Sequence, residues 1–469
     1  MIFSSVFFLF VFLPIVLLAY FLVPKKFKNA VILIASLIFY AWGEPVYIVL
    51  MMFSIVYNYI SGIEIDYWKG RGRIGQAKVT FILSVVVNLG MLGFFKYYGF
   101  LLENMNNLLP VDIPYKALPL PIGISFYTFQ TLSYVIDVYR GNVKVQKNLL
   151  HFGTYISMFP QLIAGPIVRY ADVEVQLTKR KESLAKFGDG TAWFLRGLGK
   201  KVLLANNIGM TFDTIAAIPA GEASVLTAWI GCAAYTFQIY FDFSGYSDMA
   251  IGLGKMFGFE FMKNFEYPYT ATSITDFWRR WHISLSSWFR EYVYIPLGGN
   301  RVSVPKHIRN IFVVWMLTGL WHGAAWNFVF WGLYYGILLI IEKYLLKDIL
   351  ERLPAFVKHI YTMFLVMIGW VFFFSPNIGS AFGYLGTMLG IGANGFADSM
   401  AVYYLYNNLL MFIVLIICSV PYTYKKFLRL ETGKKSYRSI AMISYILIFV
   451  LATACLVNAT YNPFLYFRF

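Results

Sequence analysis

Residues 311–341 read IFVVWMLTGLWHGAAWNFVFWGLYYGILLII, a run without a single lysine, arginine, aspartate or glutamate. A stretch this long and this apolar belongs in a bilayer, and its length suits a tight hairpin of two short helices. In its middle stands His322, framed as Thr318-Gly319-Leu320-Trp321-His322-Gly323-Ala324-Ala325-Trp326-Asn327. An ionisable side chain at membrane depth is costly and by default suggests function. Imidazole can accept a proton near neutral pH, as a general base must. The neutral form that a base needs is also the form that apolar surroundings favour. Gly319 and Gly323 let neighbouring backbone or a ligand approach closely. A histidine here could equally be a hydrogen-bonding link between helices, and from this stretch alone both readings stand.

The rest of the chain has the same character. Of 469 residues, 59% are apolar and only 13% charged, with mean hydropathy +0.63. An ordinary soluble domain carries about 25% charged residues, so a soluble enzyme and a disordered chain are both excluded. Three cysteines, Cys232, Cys418 and Cys455, lie in apolar runs and make no disulfide scaffold. The net charge of +16, from 39 Lys+Arg against 23 Asp+Glu, fits basic cytoplasmic loops between spanning helices. The cations form no stripe or module suited to nucleic acid.

Charge and hydropathy together predict one all-α polytopic membrane domain over residues 1–469, with about eleven to thirteen crossings. The run 1–23 reads as a first spanning helix and not a cleaved signal peptide. The basic loop 24–28 places the N-terminus outside. Loops carrying Lys69, Arg71, Arg73 and Lys78, and later Lys425, Lys426, Arg429, Lys434, Lys435 and Arg438, are read as cytoplasmic. The loops 99–119, with Glu103 and Asp112 against Lys116, and 375–400 are read as external. Residues 149–167 are broken by Pro160, Gly165 and Pro166 and have basic flanks on both sides, the pattern of a re-entrant segment. No internal repeat is visible.

Residues 276–294 read DFWRRWHISLSSWFREYVY. On a helical wheel Phe277, Trp278, Trp281, Leu285, Trp288, Phe289 and Tyr292 gather on one side, opposite Asp276, Arg279, Arg280, Ser287, Arg290 and Glu291. This predicts a single amphipathic helix, N-capped by Thr275, lying in the interface or roofing a helical bundle. His282 falls beside the apolar sector. Arg279, Arg280 and Arg290 suit lipid phosphates or an anionic donor. Further polar groups sit in apolar surroundings at 238–248 and at 125–137. Asp242 and Asp248 could orient a histidine, as in a triad, or pair with Arg279 or Arg280. No metal-binding spacing, P-loop, Rossmann glycine pattern or nucleophile elbow is present.

The run from Asp276 to Arg301 resembles the signature of the membrane-bound O-acyltransferase (MBOAT) family, in the branch of the alginate O-acetyltransferase membrane subunit. Gly319-Leu-Trp-His322-Gly323 resembles that family's second histidine motif. Residues 159–169 (FPQLIAGPIVR), the stretch 240–248, the first ten residues (MIFSSVFFLF) and the closing 464–469 (FLYFRF) are similar too, so the likeness covers essentially the whole chain. The teichoic acid D-alanyl transferases share the Trp-His elements but usually lack a run like IPLGGNR at 295–301, which tilts the reading toward acetyl transfer to a polysaccharide.

The resemblance implies a ring of tilted helices around a central funnel, with re-entrant and amphipathic helices. It maps the family's catalytic histidine to His322 and its first histidine to His282. It implies a cytoplasmic thioester donor, acetyl-CoA or an acylated carrier protein, and no tightly bound cofactor. The acceptor is a hydroxyl of an exported polysaccharide or of an extracytoplasmic SGNH-type acetyltransferase, and the location is the bacterial inner membrane. Asn327, Trp321, Asp242, Asp248, Arg279 and Arg280 are candidates for donor contact or oxyanion stabilisation. Two other functions are a D-alanyl transferase acting on teichoic acid and a non-enzymatic transporter or scaffold. Transporters often carry internal repeats, and none is seen.

Overall fold

The computed structural model describes residues 1–109, 113–116, 118–163, 165–219, 221–458, 461–463 and 465. Asp112 of the external loop, Ala164 of the broken segment and most of the closing 464–469 run lie outside the described residues. Among the described residues every regular element is helical. Among the described residues, six helices are long and apolar enough to cross a membrane: Lys25–Gly43, Ile48–Gly70, Ile74–Leu108, Ala355–Phe374, Ser399–Cys418 and Ser436–Asn458. The chain divides into two compact units.

The first unit comprises Met1–Phe194 and Ser247–Met262. Its Ile124–Arg140 helix is buried along almost its whole length. Apolar packing alone cannot satisfy the polar groups such a helix carries. A side-chain network does this for Thr131. Asn58 and Asn88 exchange amide hydrogen bonds of 3.1 and 2.7 Å, and Thr131 donates to the Asn88 carbonyl oxygen at 3.0 Å. Ser84 adds a 3.2 Å bond to Asn58, so three helices are tied together inside the apolar region. The segment expected to be re-entrant is broken as anticipated, into Leu149–Ser157 and Phe159–Leu162. The break falls at Met158, Pro160 lies in the first turn of the second piece, and the Phe159 N–H donates to Ser36 Oγ at 3.0 Å.

The second unit comprises Leu195–Tyr246 and Lys263–Phe469. Its centre is the hairpin of Val304–His322 and Trp326–Tyr344, each 19 residues. The two helices touch backbone to backbone. A Cβ at Gly319 would collide with the Phe328 carbonyl oxygen, and one at Gly332 with the Trp315 carbonyl oxygen. At the hairpin turn a Cβ on Gly323 would strike the Phe328 ring. Trp278, Trp281, Trp331, Tyr335 and Trp370 are all buried around this hairpin and form one aromatic cluster with Phe373.

Two buried charges shape the same unit. Lys201 and Asp242, both almost fully buried, form an ion pair at 2.5 Å. Lys201 Nζ also donates to Asn206 Oδ1 at 2.9 Å and to the Pro463 carbonyl. Asp242 accepts the Leu465 N–H at 3.0 Å. The pair therefore anchors the chain near its C-terminus within the unit. Glu342, 5% exposed, accepts the N–H groups of Ile274 and Thr275 at 2.7 and 3.0 Å, the place where a carboxylate is favoured at a helix start.

Gly319→Val is expected to cost more than the about 1–3 kcal/mol typical of core overpacking, because the obstructing atoms are backbone. Thermal unfolding of the detergent-purified protein measures this. Asp242→Asn leaves Lys201 without its counter-charge and is expected to cost about 3–5 kcal/mol, while Lys201→Met combined with Asp242→Leu recovers most of the loss. Equal melting temperatures for the single and double variants would show that the pair is not a coupled unit.

Candidate active site

The residues 276–294 form not one helix but three pieces. Ile274–Arg280 and Ile283–Phe289 are separated by a break at Trp281-His282, and one π-helical turn, Arg290–Tyr294, follows. The N-cap is Ser273, whose hydroxyl accepts the Asp276 N–H at 2.9 Å, while Thr275 bonds to Glu342. The break has a conformational cause. His282 adopts φ +46°, ψ +54°, a left-handed conformation uncommon for a residue with a side chain. Only Tyr267 shares a positive φ among the described non-glycine residues. The two-faced character survives the break: Phe277, Trp278, Leu285, Trp288 and Phe289 are buried, Arg279 and Arg290 exposed.

The break turns the His282 ring inward. It is 1% exposed, edge-on to Phe243 at 4.7 Å between ring centres and 5.9 Å from Trp321. This turn lies outside the membrane-spanning helices, and burial pushes the imidazole down to about 3, so it is neutral at physiological pH. Its Nδ1 lies 3.1 Å from Asn264 Oδ1.

His322 ends the first helix of the hairpin, where the chain turns extended at Gly323. It is 5% exposed. Rings of Trp321, Trp331 and Phe373 lie 5.0, 5.0 and 5.2 Å from its own. Both histidine rings thus lie against Trp321. Beside His282 opens a cavity of about 230 Å³, walled by Trp278, Leu285, Ser286, Trp315 and Thr318, with Arg279, Arg290 and Tyr294 also lining it. Thr318 is on the same helix as His322, one turn before it.

The other candidates are distributed. Arg279 lines the cavity. Arg280 bonds to Asp276 at 2.9 Å, not to Asp242. Asp242 is committed to Lys201, which in the sequence reads as one more cation of a basic flank beside Lys200. Asp248 belongs to the first unit and is half-buried. Asn327, 2% exposed, donates to the carbonyls of Phe372 and Ser375 at 3.2 and 3.0 Å and so ties the hairpin to the end of the Ala355–Phe374 helix. Asn264 and Glu342, both buried and both bonded to this region, are not singled out by the sequence reading. Asn264 sits in a polar-looking loop, and Glu342 at the edge of a mixed-charge one.

Residues 139–387 match the sequence profile of the membrane-bound O-acyltransferase family. The chain is 43% identical over 398 residues to the probable alginate O-acetylase AlgI of Azotobacter vinelandii, covering 84% of this chain and 79% of that protein. It is 35% identical over 426 residues to the peptidoglycan O-acetyltransferase of Helicobacter pylori, covering 83% and 80%. A teichoic acid D-alanyltransferase of Bacillus subtilis is 30% identical over 239 residues, covering 48% of this chain and 60% of that protein. With a profile across more than half its length and full-scale relatives at these identities, this chain belongs to the membrane-bound O-acyltransferase family.

Proposed function

We propose that this multi-pass membrane enzyme transfers acetyl groups from a cytoplasmic thioester, acetyl-CoA or an acylated carrier protein, to a hydroxyl of an exported polysaccharide or of an SGNH-type partner acetyltransferase. The bacterial inner membrane is its location in this reading. The observation that carries it is the pair of buried histidines in contact with Trp321, with a small cavity opening on one of them. The cavity is smaller than the roughly 300–1,000 Å³ of sites that enclose a whole drug-sized ligand, which suits an acyl end and not a nucleotide. Arg279 and Arg290 at its wall supply positive charge for an anionic donor. The alginate and peptidoglycan acetylating relatives support a polysaccharide acceptor.

In this mechanism a neutral His322 nitrogen removes the proton from the acceptor hydroxyl as its oxygen attacks the thioester carbonyl. The tetrahedral intermediate carries its negative charge on the former carbonyl oxygen. Collapse re-forms the carbonyl, breaks the carbon–sulfur bond and returns the proton from imidazolium to the leaving thiolate. His282 lies at the cavity wall and orients the donor or the attacking hydroxyl. D-alanyl transfer remains the second reading, favoured by the Bacillus subtilis relative over about half the chain.

His322→Ala, expressed at the wild-type level, is expected to lower polymer acetyl content about 100-fold or more. Unchanged acetylation would sink the assignment. Incubating the reconstituted protein with labelled acetyl and D-alanyl thioesters separates the two cargoes, and incorporation of acetyl alone is expected.

A further inference from the structure

We infer that Asn264 is a positioning residue that holds His282 as the Nδ1–H tautomer, leaving Nε2 as the nitrogen with the lone pair. The inference rests on the reading of His282 as part of the transfer site.

The Ser284 backbone N–H, which can only donate, points at the Asn264 side-chain oxygen at 3.1 Å. The atom there is therefore the carbonyl oxygen and not the amide nitrogen. Ser284 Oγ donates to the same oxygen at 2.9 Å, so its proton is committed and is not offered to the imidazole 3.5 Å away. A carbonyl oxygen cannot donate. The His282 Nδ1 found 3.1 Å from it must therefore carry the hydrogen. In a neutral ring Nε2 is then the acceptor.

The same asparagine holds the backbone that presents the ring. Its main-chain carbonyl accepts the Ile283 N–H at 2.9 Å. The two oxygens of one residue thus satisfy the first two N–H groups after the left-handed His282. Strained backbone of this kind persists only where surroundings over-determine it, and it clusters at functional sites. Asn264 is 1% exposed and His282 1% exposed, so water does not substitute for these bonds. A neutral histidine with its lone pair on Nε2 takes a hydrogen bond from a hydroxyl or amide. It does not give one to an oxyanion. His282 is thereby assigned to orienting an N–H or O–H of donor or acceptor.

The test is nitrogen-15 NMR of histidine-labelled protein in bilayers, with His282→Gln identifying the signal. A protonated Nδ1 and an unprotonated Nε2 are expected. An Nε2–H tautomer overturns the inference whatever the enzyme's substrate proves to be. In acetyl transfer by the reconstituted protein, Asn264→Ala is expected to lower kcat about tenfold or more. Asn264→Asp keeps an acceptor at Nδ1 and is expected to restore most of that loss. Equal loss in both variants, with both folded by thermal melt, would also overturn it. If Asn264→Ala does not fold, the spectrum of the wild-type protein still decides.

Discussion

A polar group enclosed by apolar side chains must find its partner within the protein, since lipid offers none. The second unit is organised around that constraint. Its hairpin is closed by glycines that bring backbone against backbone. The helix that begins at Ile274 is started by the buried Glu342 carboxylate. The chain near the C-terminus is held by Lys201 and Asp242. The break at His282 is held by Asn264. The last three are polar requirements met by specific partners, and with the close glycine contacts they set where the two histidines sit.

This arrangement also explains why the aromatic side chains are so dense there. Tryptophan and tyrosine bring large apolar area with a polar edge. Around His322 they exclude water from an imidazole that would otherwise be solvated. Trp321, the residue next to His322, also lies against His282. The two histidines are 40 positions apart in sequence, yet both rings contact the same indole.

Much of this is legible in the sequence. The apolar run 311–341 and its lone histidine lie within the hairpin, whose helices reach out to Val304 and Tyr344, and Gly319 and Gly323 are the close-approach positions expected. The segment after Leu149 is broken as read, with Pro160 just past the break. What the sequence conceals is local geometry. A helical wheel over 276–294 assumes continuous helix, and no propensity signals that His282 adopts a left-handed conformation. The Lys201–Asp242 and Glu342–Ile274 pairings join residues 41 and 68 positions apart, and single-chain periodicity carries no information about which acid meets which partner. Asn264 is invisible for the same reason: its function comes from two oxygens placed against residues 282–284, not from any motif around it.

The most direct test of the account is a structure of the protein with a non-hydrolysable acetyl thioester analogue. The account predicts the acyl carbon in the cavity beside His282, with an acceptor path that reaches His322, and the anionic portion near Arg279 and Arg290. An analogue bound away from both histidines, with the cavity empty, would contradict it.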